Sequence, residues 1–280
     1  MLALVACKQA DSPKPQPPAE GSAAPAPVAE GTAAPACEPL PFAASTPVAE
    51  ASGTAWLVVD GKLSLLVVGD SGHAGDYTIV DAETGETREQ GKLPLGKHGD
   101  DIEGLATLGE RIFGLTSDGW MRVWKREGKG FALVDGPYAV GTSTKLNFEG
   151  LALAPEARGG CAGFACSKGD GHLYCLVERD GRFAIEPSRR LAVARRDAIG
   201  DCAFAQDGTL WLSTNIFHLG RAFRIAGWED LATAKVVPVD IPTLGNPEVI
   251  AARGDLVYRM SDLGGSPSLM AKFRCRAIGR

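Results

Sequence analysis

Short apolar runs alternate with polar residues along most of this chain, and many of them end at Gly, Asp or Asn. The pattern is clearest between residues 103 and 134. Glu103–Leu108 alternates as a short strand, Gly109 and Glu110 turn the chain, and Arg111–Thr116 makes a second strand. Asp118-Gly119 then reverses it into Trp120–Trp124, and Phe131–Val134 supplies a fourth strand. Asp-Gly between two strand-like runs is the strongest short hairpin signal. The same order recurs elsewhere. Leu65–Val68 runs to Asp70 and is followed by Tyr77–Val80. Asp170-Gly171 leads into His172–Leu176, Asn215 precedes Arg221–Ile225, and Asp262 precedes Ser268–Phe273.

Each unit opens on a pentad. The five are Glu50-Ala-Ser-Gly-Thr54, Glu103-Gly-Leu-Ala-Thr107, Glu149-Gly-Leu-Ala-Leu153, Gly200-Asp-Cys-Ala-Phe204 and Glu248-Val-Ile-Ala-Ala252, spaced by 53, 46, 51 and 48 residues. A period near fifty residues with strand-like contents marks a radial repeat. Four antiparallel strands per repeat make a propeller blade, so the pattern predicts an all-β, five-bladed β-propeller. The last repeat is about one strand short, whereas Glu38–Phe42 is strand-sized and has no blade of its own. That segment is expected to complete the fifth blade as its outer strand, closing the ring and removing exposed edges. The fourth pentad residue is always small: Gly53, Ala106, Ala152, Ala203 and Ala251. One face of each inner strand is thereby kept narrow, as a close approach of blades near the axis requires.

Charge and the N-terminus add a setting. Net charge is −5, and basic residues cluster only at Arg189-Arg190 and Arg195-Arg196, which argues against a nucleic-acid surface. No apolar run reaches the roughly eighteen residues of a membrane-spanning helix. Residues 1–7 read as the remnant of a lipoprotein signal peptide, with Leu4-Val-Ala-Cys7 resembling a lipobox and Cys7 as the lipid acceptor. The positive leader and full apolar region are missing, so either the true start lies upstream or the likeness is chance. Residues 8–36 are rich in Pro and Ala and read as a disordered tether, followed by a propeller over 37–280. The expectation is a monomer in the bacterial cell envelope, at the outer membrane or periplasmic face. It would be held by its lipid alone and would meet a small molecule or an envelope protein.

Beyond Cys7, six cysteines remain, and an even number in an exported protein reads as three disulfides. Cys37 adjoins the closing strand and Cys275 ends the third strand of the same blade, so a bond between them would lock the ring. Cys166 and Cys175 flank the Asp170-Gly171 turn as cross-strand candidates, with Cys161–Cys166 as the competing local pair; Cys202 completes the set. A zinc site is disfavoured, because Cys161-x4-Cys166 lacks the tight paired spacing of such sites.

The pentads start the first strands and the Asp or Asn residues end the second, so antiparallel pairing brings both to one mouth of the channel. An inner ring is expected at Glu50, Glu103, Glu149, Glu248 and, one residue displaced, Asp201. A second is expected at Asp70, Asp118, Asp170, Asn215 and Asp262. Carboxylates crowded around one axis must share protons, be solvated or bind a cation. Oxygen-rich sites of this kind suit calcium. The competing reading is structural. Asp118 and Asp170 precede Gly, as do the plain turn residues Asp60, Asp180 and Asp207, and the glutamates are suited to bonding neighbouring backbone amides. His98-Gly-Asp-Asp101 leads directly into Glu103, which adds an imidazole and makes His98, Asp101, Glu103, Glu149 and Asn215 the candidate ligand-binding set. His73 and His218 follow second strands on the same face. The five tryptophans are expected in the core.

The openings Asp101-Ile-Glu-Gly-Leu-Ala106, Leu146-Asn-Phe-Glu-Gly-Leu-Ala152 and Ala198-Ile-Gly-Asp-Cys-Ala203 resemble those of a bacterial propeller family, domain of unknown function 3616. They are also similar to the esterase-like phytase and SdiA-regulated propellers. The resemblance covers roughly residues 45–265 and implies a propeller. For the phytase-like relatives it also implies calcium and ester or phosphoester chemistry at the channel mouth. Lys145, Arg195 and Arg196 are the nearest cations that could hold a phosphate there.

Overall fold

The computed structural model describes residues 37–141, 143–215 and 221–275, all strands and turns. The expected lipid acceptor Cys7, the tether and His218 lie outside the described residues. Two short strands come first, β1 (Cys37–Leu40) and β2 (Ser45–Ala49). The first blade is β3 (Ala51–Val59), β4 (Lys62–Gly69), β5 (Asp76–Asp81) and β6 (Thr87–Lys92). The second is β7 (Ile102–Leu108), β8 (Arg111–Thr116), β9 (Trp120–Glu127) and β10 (Gly130–Ala139). The third is β11 (Phe148–Arg158), β12 (Cys161–Ser167), β13 (His172–Arg179) and β14 (Arg182–Ala192). The fourth is β15 (Ile199–Phe204), β16 (Leu210–Thr214), β17 (Arg221–Ala226) and β18 (Lys235–Val239). The fifth is β19 (Asn246–Arg253), β20 (Leu256–Asp262) and β21 (Pro267–Cys275).

Each blade is an antiparallel sheet in which sequence order equals spatial order, and β1 is the outer strand of the fifth. Its register runs from Cys37↔Cys275 to Leu40↔Lys272. After a break, β2 continues along the same edge at Ser45↔Leu269. The expected closure by an N-terminal strand is therefore met by two short strands. The first strands of successive blades adjoin one another around the ring, β3 to β7, β11, β15, β19 and back to β3.

Second strands such as β8, β12 and β16 are buried almost throughout, because both their faces meet neighbouring blades. Five clusters of buried side chains, one per interface between blades, form the core. Outer strands such as β6 (Thr-Arg-Glu-Gln-Gly-Lys) are polar and open to solvent.

Each first strand carries a β-bulge near its start, and the bulges fix how the repeats correspond. The register skips Ser52 between Ala51↔Gly69 and Gly53↔Val68. It likewise skips Glu103, Glu149, Gly200 and Glu248 in the other blades. The first blade therefore opens on Ser52-Gly-Thr-Ala55. The expected pentad from Glu50 is out of step by two residues, and the small fourth residue of that blade is Ala55. The five equivalent residues are all alanine: Ala55, Ala106, Ala152, Ala203 and Ala251.

Close approach between blades falls on the residue after the bulge. A Cβ on Gly104 would stand 2.3 Å from Leu151 N, and one on Gly150 would stand 2.5 Å from Cys202 N.

Three disulfides are present, and two of the pairings differ from expectation. Cys37–Cys275 closes the ring as expected. Cys161 bonds Cys175, and Cys166 bonds Cys202. The Cys166–Cys175 and Cys161–Cys166 pairings fail because the register sets Cys175 opposite Phe164 and Cys166 opposite Leu173. Cys166 then meets the fourth blade, where the first-strand Cys202 lies in the same buried cluster.

Candidate acidic site at the channel mouth

At the start of each first strand three positions converge, and the ladder identifies them in every blade. The bulge position holds Ser52, Glu103, Glu149, Gly200 and Glu248. Two residues earlier stand Glu50, Asp101, Asn147, Ala198 and Asn246. Just beyond the paired end of the second strand stand Asp70, Ser117, Lys168 and Asn215, and in the fifth blade the equivalent Asp262 is itself paired, opposite Asn246. In four blades the backbone N–H of that last residue donates to the carbonyl of the residue before the strand: Asp70 to Glu50, Ser117 to Asp101, Lys168 to Asn147 and Asn215 to Ala198. Seven of these fifteen positions are acids and one is a cation.

The expected rings are thereby redrawn. Glu50 is the equivalent of Asp101 rather than of Glu103. Asp118 and Asp170 lie one and two residues past the second-strand position, which Ser117 and Lys168 fill. Asp118 accepts a 2.5 Å bond from Thr116 Oγ1. Asp170 accepts 2.5 Å and 3.2 Å bonds from Tyr174 Oη and the His172 amide. Both therefore serve their own turns, as the Gly after each allows. Asp262 keeps its place in the ring and accepts the Gly264 amide at 2.5 Å.

Asp201 is buried one residue past the bulge and bridges blades, accepting the amides of Cys202 (2.7 Å) and Ile250 (2.9 Å). Burial pushes its carboxyl well up, against the pull of those two amides. Glu50 lies 2.8 Å from His73 Nε2 and accepts the Gly265 amide. His98 turns onto the second blade, stacking on Trp120 with ring centroids 3.8 Å apart. It does not join the carboxylates.

The glutamates of the bulge differ in their partners. Glu149 accepts from Asn147 Nδ2 at 2.6 Å and from Lys168 Nζ at 3.0 Å. Glu248 accepts from Asn215 Nδ2 at 2.6 Å and Asn246 Nδ2 at 3.2 Å. Glu103 instead faces acids, since Asp101 stands where the other two have Asn147 and Asn246. Asp70, Asp101 and Glu103 each present a carboxylate oxygen within 4.8 Å of the others. Ser117 Oγ donates to Asp101.

Charge and burial act together here. Burial, reinforced by the charges of Glu149, Asp70 and Asp101, pushes the Glu103 carboxyl up to about 11. Burial also raises Glu149, to about 8, although Lys168 opposes it. Burial raises Asp70 and Glu248 as well. Lys168 is held above its ordinary range by Glu149 and Glu248 in spite of burial.

Asp101 is positioned from below by Arg122, which has no solvent exposure. Its Nε donates to the Leu95 carbonyl at 2.7 Å, and its Nη2 to those of Lys97, His98 and Gly99 at 2.7–2.9 Å. The guanidinium thus ties down the loop that delivers Asp101. Sequence reasoning placed Arg122 on a strand and missed this role, because its partners are carbonyls that no side-chain pattern reveals.

These features define a five-bladed propeller with a lopsided acidic mouth centred on the first two blades. Searches against protein-family models and curated proteins find no match. Among solved structures, the chain is similar to the glutaminyl cyclase of Myxococcus xanthus at 19% identity and a TM-score of 0.53, covering 87% of this chain and 98% of that one. It is also similar to a luciferin-regenerating enzyme at 10% identity and a TM-score of 0.51, covering 88% and 98%. A gluconolactonase from Xanthomonas campestris matches at 13% identity and a TM-score of 0.48, covering 88% and 97%. At these identities the likeness is one of fold.

Proposed function

We propose that the protein is an exported, lipid-tethered propeller that binds a hard divalent cation, calcium foremost, and through it an oxygen-rich ligand or partner at its acidic mouth. The observation that carries this reading is the Asp70–Asp101–Glu103 trio. Three carboxylates face one another there without the Asn or Lys donors that satisfy Glu149 and Glu248. Such a group either retains protons or takes a cation. Calcium accepts six to eight oxygens at about 2.3–2.6 Å, so three carboxylates leave coordination positions for water or for ligand oxygens. The three disulfides support an oxidising compartment, and the lipobox-like Cys7 with its tether supports a membrane-surface location. The reading includes membership of the family of domain of unknown function 3616, which the blade openings resemble.

Thermal melts of the full chain test it. Calcium is expected to raise Tm relative to chelator, and Glu103→Gln to abolish the shift. An unchanged Tm at millimolar calcium would sink the proposal.

One observation favours a second reading, a cation-dependent esterase or phosphoesterase. Glu149, which burial raises to about 8, and Lys168, 3.0 Å from it, form a carboxyl–ammonium pair suited to proton transfer beside the cation site. A screen with chromogenic ester and phosphodiester substrates tests it. Calcium-dependent turnover lost in Glu149→Gln supports catalysis, and no turnover with calcium bound leaves a binding protein.

A further inference from the structure

The opposite half of the channel has a different chemistry. Three residues past each bulge, the alanines Ala55, Ala106, Ala152, Ala203 and Ala251 border a cavity of about 390 Å³ to which all five blades contribute. At about 3.3 Å per strand residue, they lie roughly 10 Å from the acidic ring. The alanines also belong to the packing between blades, although the closest backbone approaches fall at Gly104 and Gly150. Five alanines keep open a space that larger side chains would fill, and its size falls within the range of small-molecule sites, about 300–1,000 Å³. Trp56, Leu153 and Phe204 add apolar wall.

Among the lining residues one, Arg253, is charged. Arg253 stands at the lip, where β19 ends. Its guanidinium lies 5.9 Å from the Trp56 ring centroid, and among the described residues no carboxylate is within ion-pair distance of it. The neighbouring acid, Asp255, is paired with Arg274 at 3.2 Å. An apolar chamber with an arginine free of acids at its entrance is complementary to an apolar anion.

We infer that this half of the channel binds a free acyl carboxylate, with its hydrocarbon chain among the alanines and its carboxylate on Arg253. The site is separate from the acidic mouth and does not depend on a cation there.

Octanoate titration of the full chain in chelator, followed by tryptophan fluorescence, tests the proposal. Saturable binding is expected. Arg253→Met should weaken octanoate about tenfold or more while leaving 1-octanol unchanged, since one charged hydrogen-bonded contact is lost. Ala203→Leu, at a partly exposed position, should abolish binding of both with the Tm retained. If that variant does not fold, Arg253→Met at the lip decides the matter alone. The proposal is overturned if the wild type gives no saturable response, or if Arg253→Met binds octanoate as tightly as the wild type. Cosedimentation with phosphatidylglycerol vesicles that octanoate does not displace also overturns it, assigning this face to a bilayer surface.

Discussion

Removing the Cys37–Cys275 bond frees the covalent closure of the ring, and the consequence is computable. The bond joins residues separated by 238 positions, with Cα atoms 4.1 Å apart, and it pins β1 to β21. In the chain-entropy treatment, closing a loop of that length restricts the unfolded chain by about 5 kcal/mol. The same treatment assigns about 4 kcal/mol to Cys166–Cys202, with its separation of 36, and about 3 kcal/mol to Cys161–Cys175, with its separation of 14. The three double Cys→Ser variants should therefore lose stability in that order. Guanidinium unfolding followed by tryptophan fluorescence measures it. Hydrogen exchange should show β1 and β2 losing protection first in the opened variant, because they form the fifth blade's outer edge and the bond pins β1 there. The reasoning is refuted if Cys37→Ser/Cys275→Ser loses no more than the Cys161/Cys175 variant, or if β1 keeps wild-type protection.

Other outcomes follow from the acidic mouth. Because Glu103 and Glu149 are raised to about 11 and about 8, their neutral forms favour the fold. Their contribution is complete below the usual carboxylate range near 4.5 and is lost as pH rises through those values. In chelator, Tm should fall between pH 5.5 and 8.5, and saturating calcium should reverse that trend; a flat chelated profile contradicts the assignment. Lys168→Met removes the one cation bonded to Glu149 and should cost about 2 kcal/mol at pH 9, where that carboxyl is ionised, and much less at pH 5. Arg122→Met strands four backbone carbonyls and should cost about 3 kcal/mol or more, with loss of the calcium response as Asp101 moves; unchanged calcium affinity would deny Arg122 its positioning role.

Much of the architecture was legible in the residues. Asp118-Gly119 and Asp170-Gly171 are local turn signals, and the alanine recurring in the pentads is visible without coordinates. The N-terminal strand could be assigned to the fifth blade because that blade was one strand short. Register was harder to read. The bulge at Ser52 shifts the first blade by two residues, and no local pattern distinguishes Ser52 from Glu50 once an acid is taken as the marker. Ser117 and Lys168 were hidden for a related reason: the more conspicuous Asp118 and Asp170 lie just beyond them and serve turns. Two disulfide pairings were missed because blade-to-blade contacts, unlike hairpins, leave no spacing signal. The face of the site was legible, and its centre became apparent only when Asp101 was placed against Asp70.

Calorimetric titration of calcium into the full chain, beside Glu103→Gln and in buffers of differing ionisation heat, bears most directly on the trio. Since Glu103 holds its proton at neutral pH, saturable binding should release about one proton, and affinity should rise nearly tenfold per pH unit. Glu103→Gln should bind far more weakly and release none. Absence of binding in the wild type, or equal affinity and proton release in the variant, would contradict a cation site at Asp70, Asp101 and Glu103.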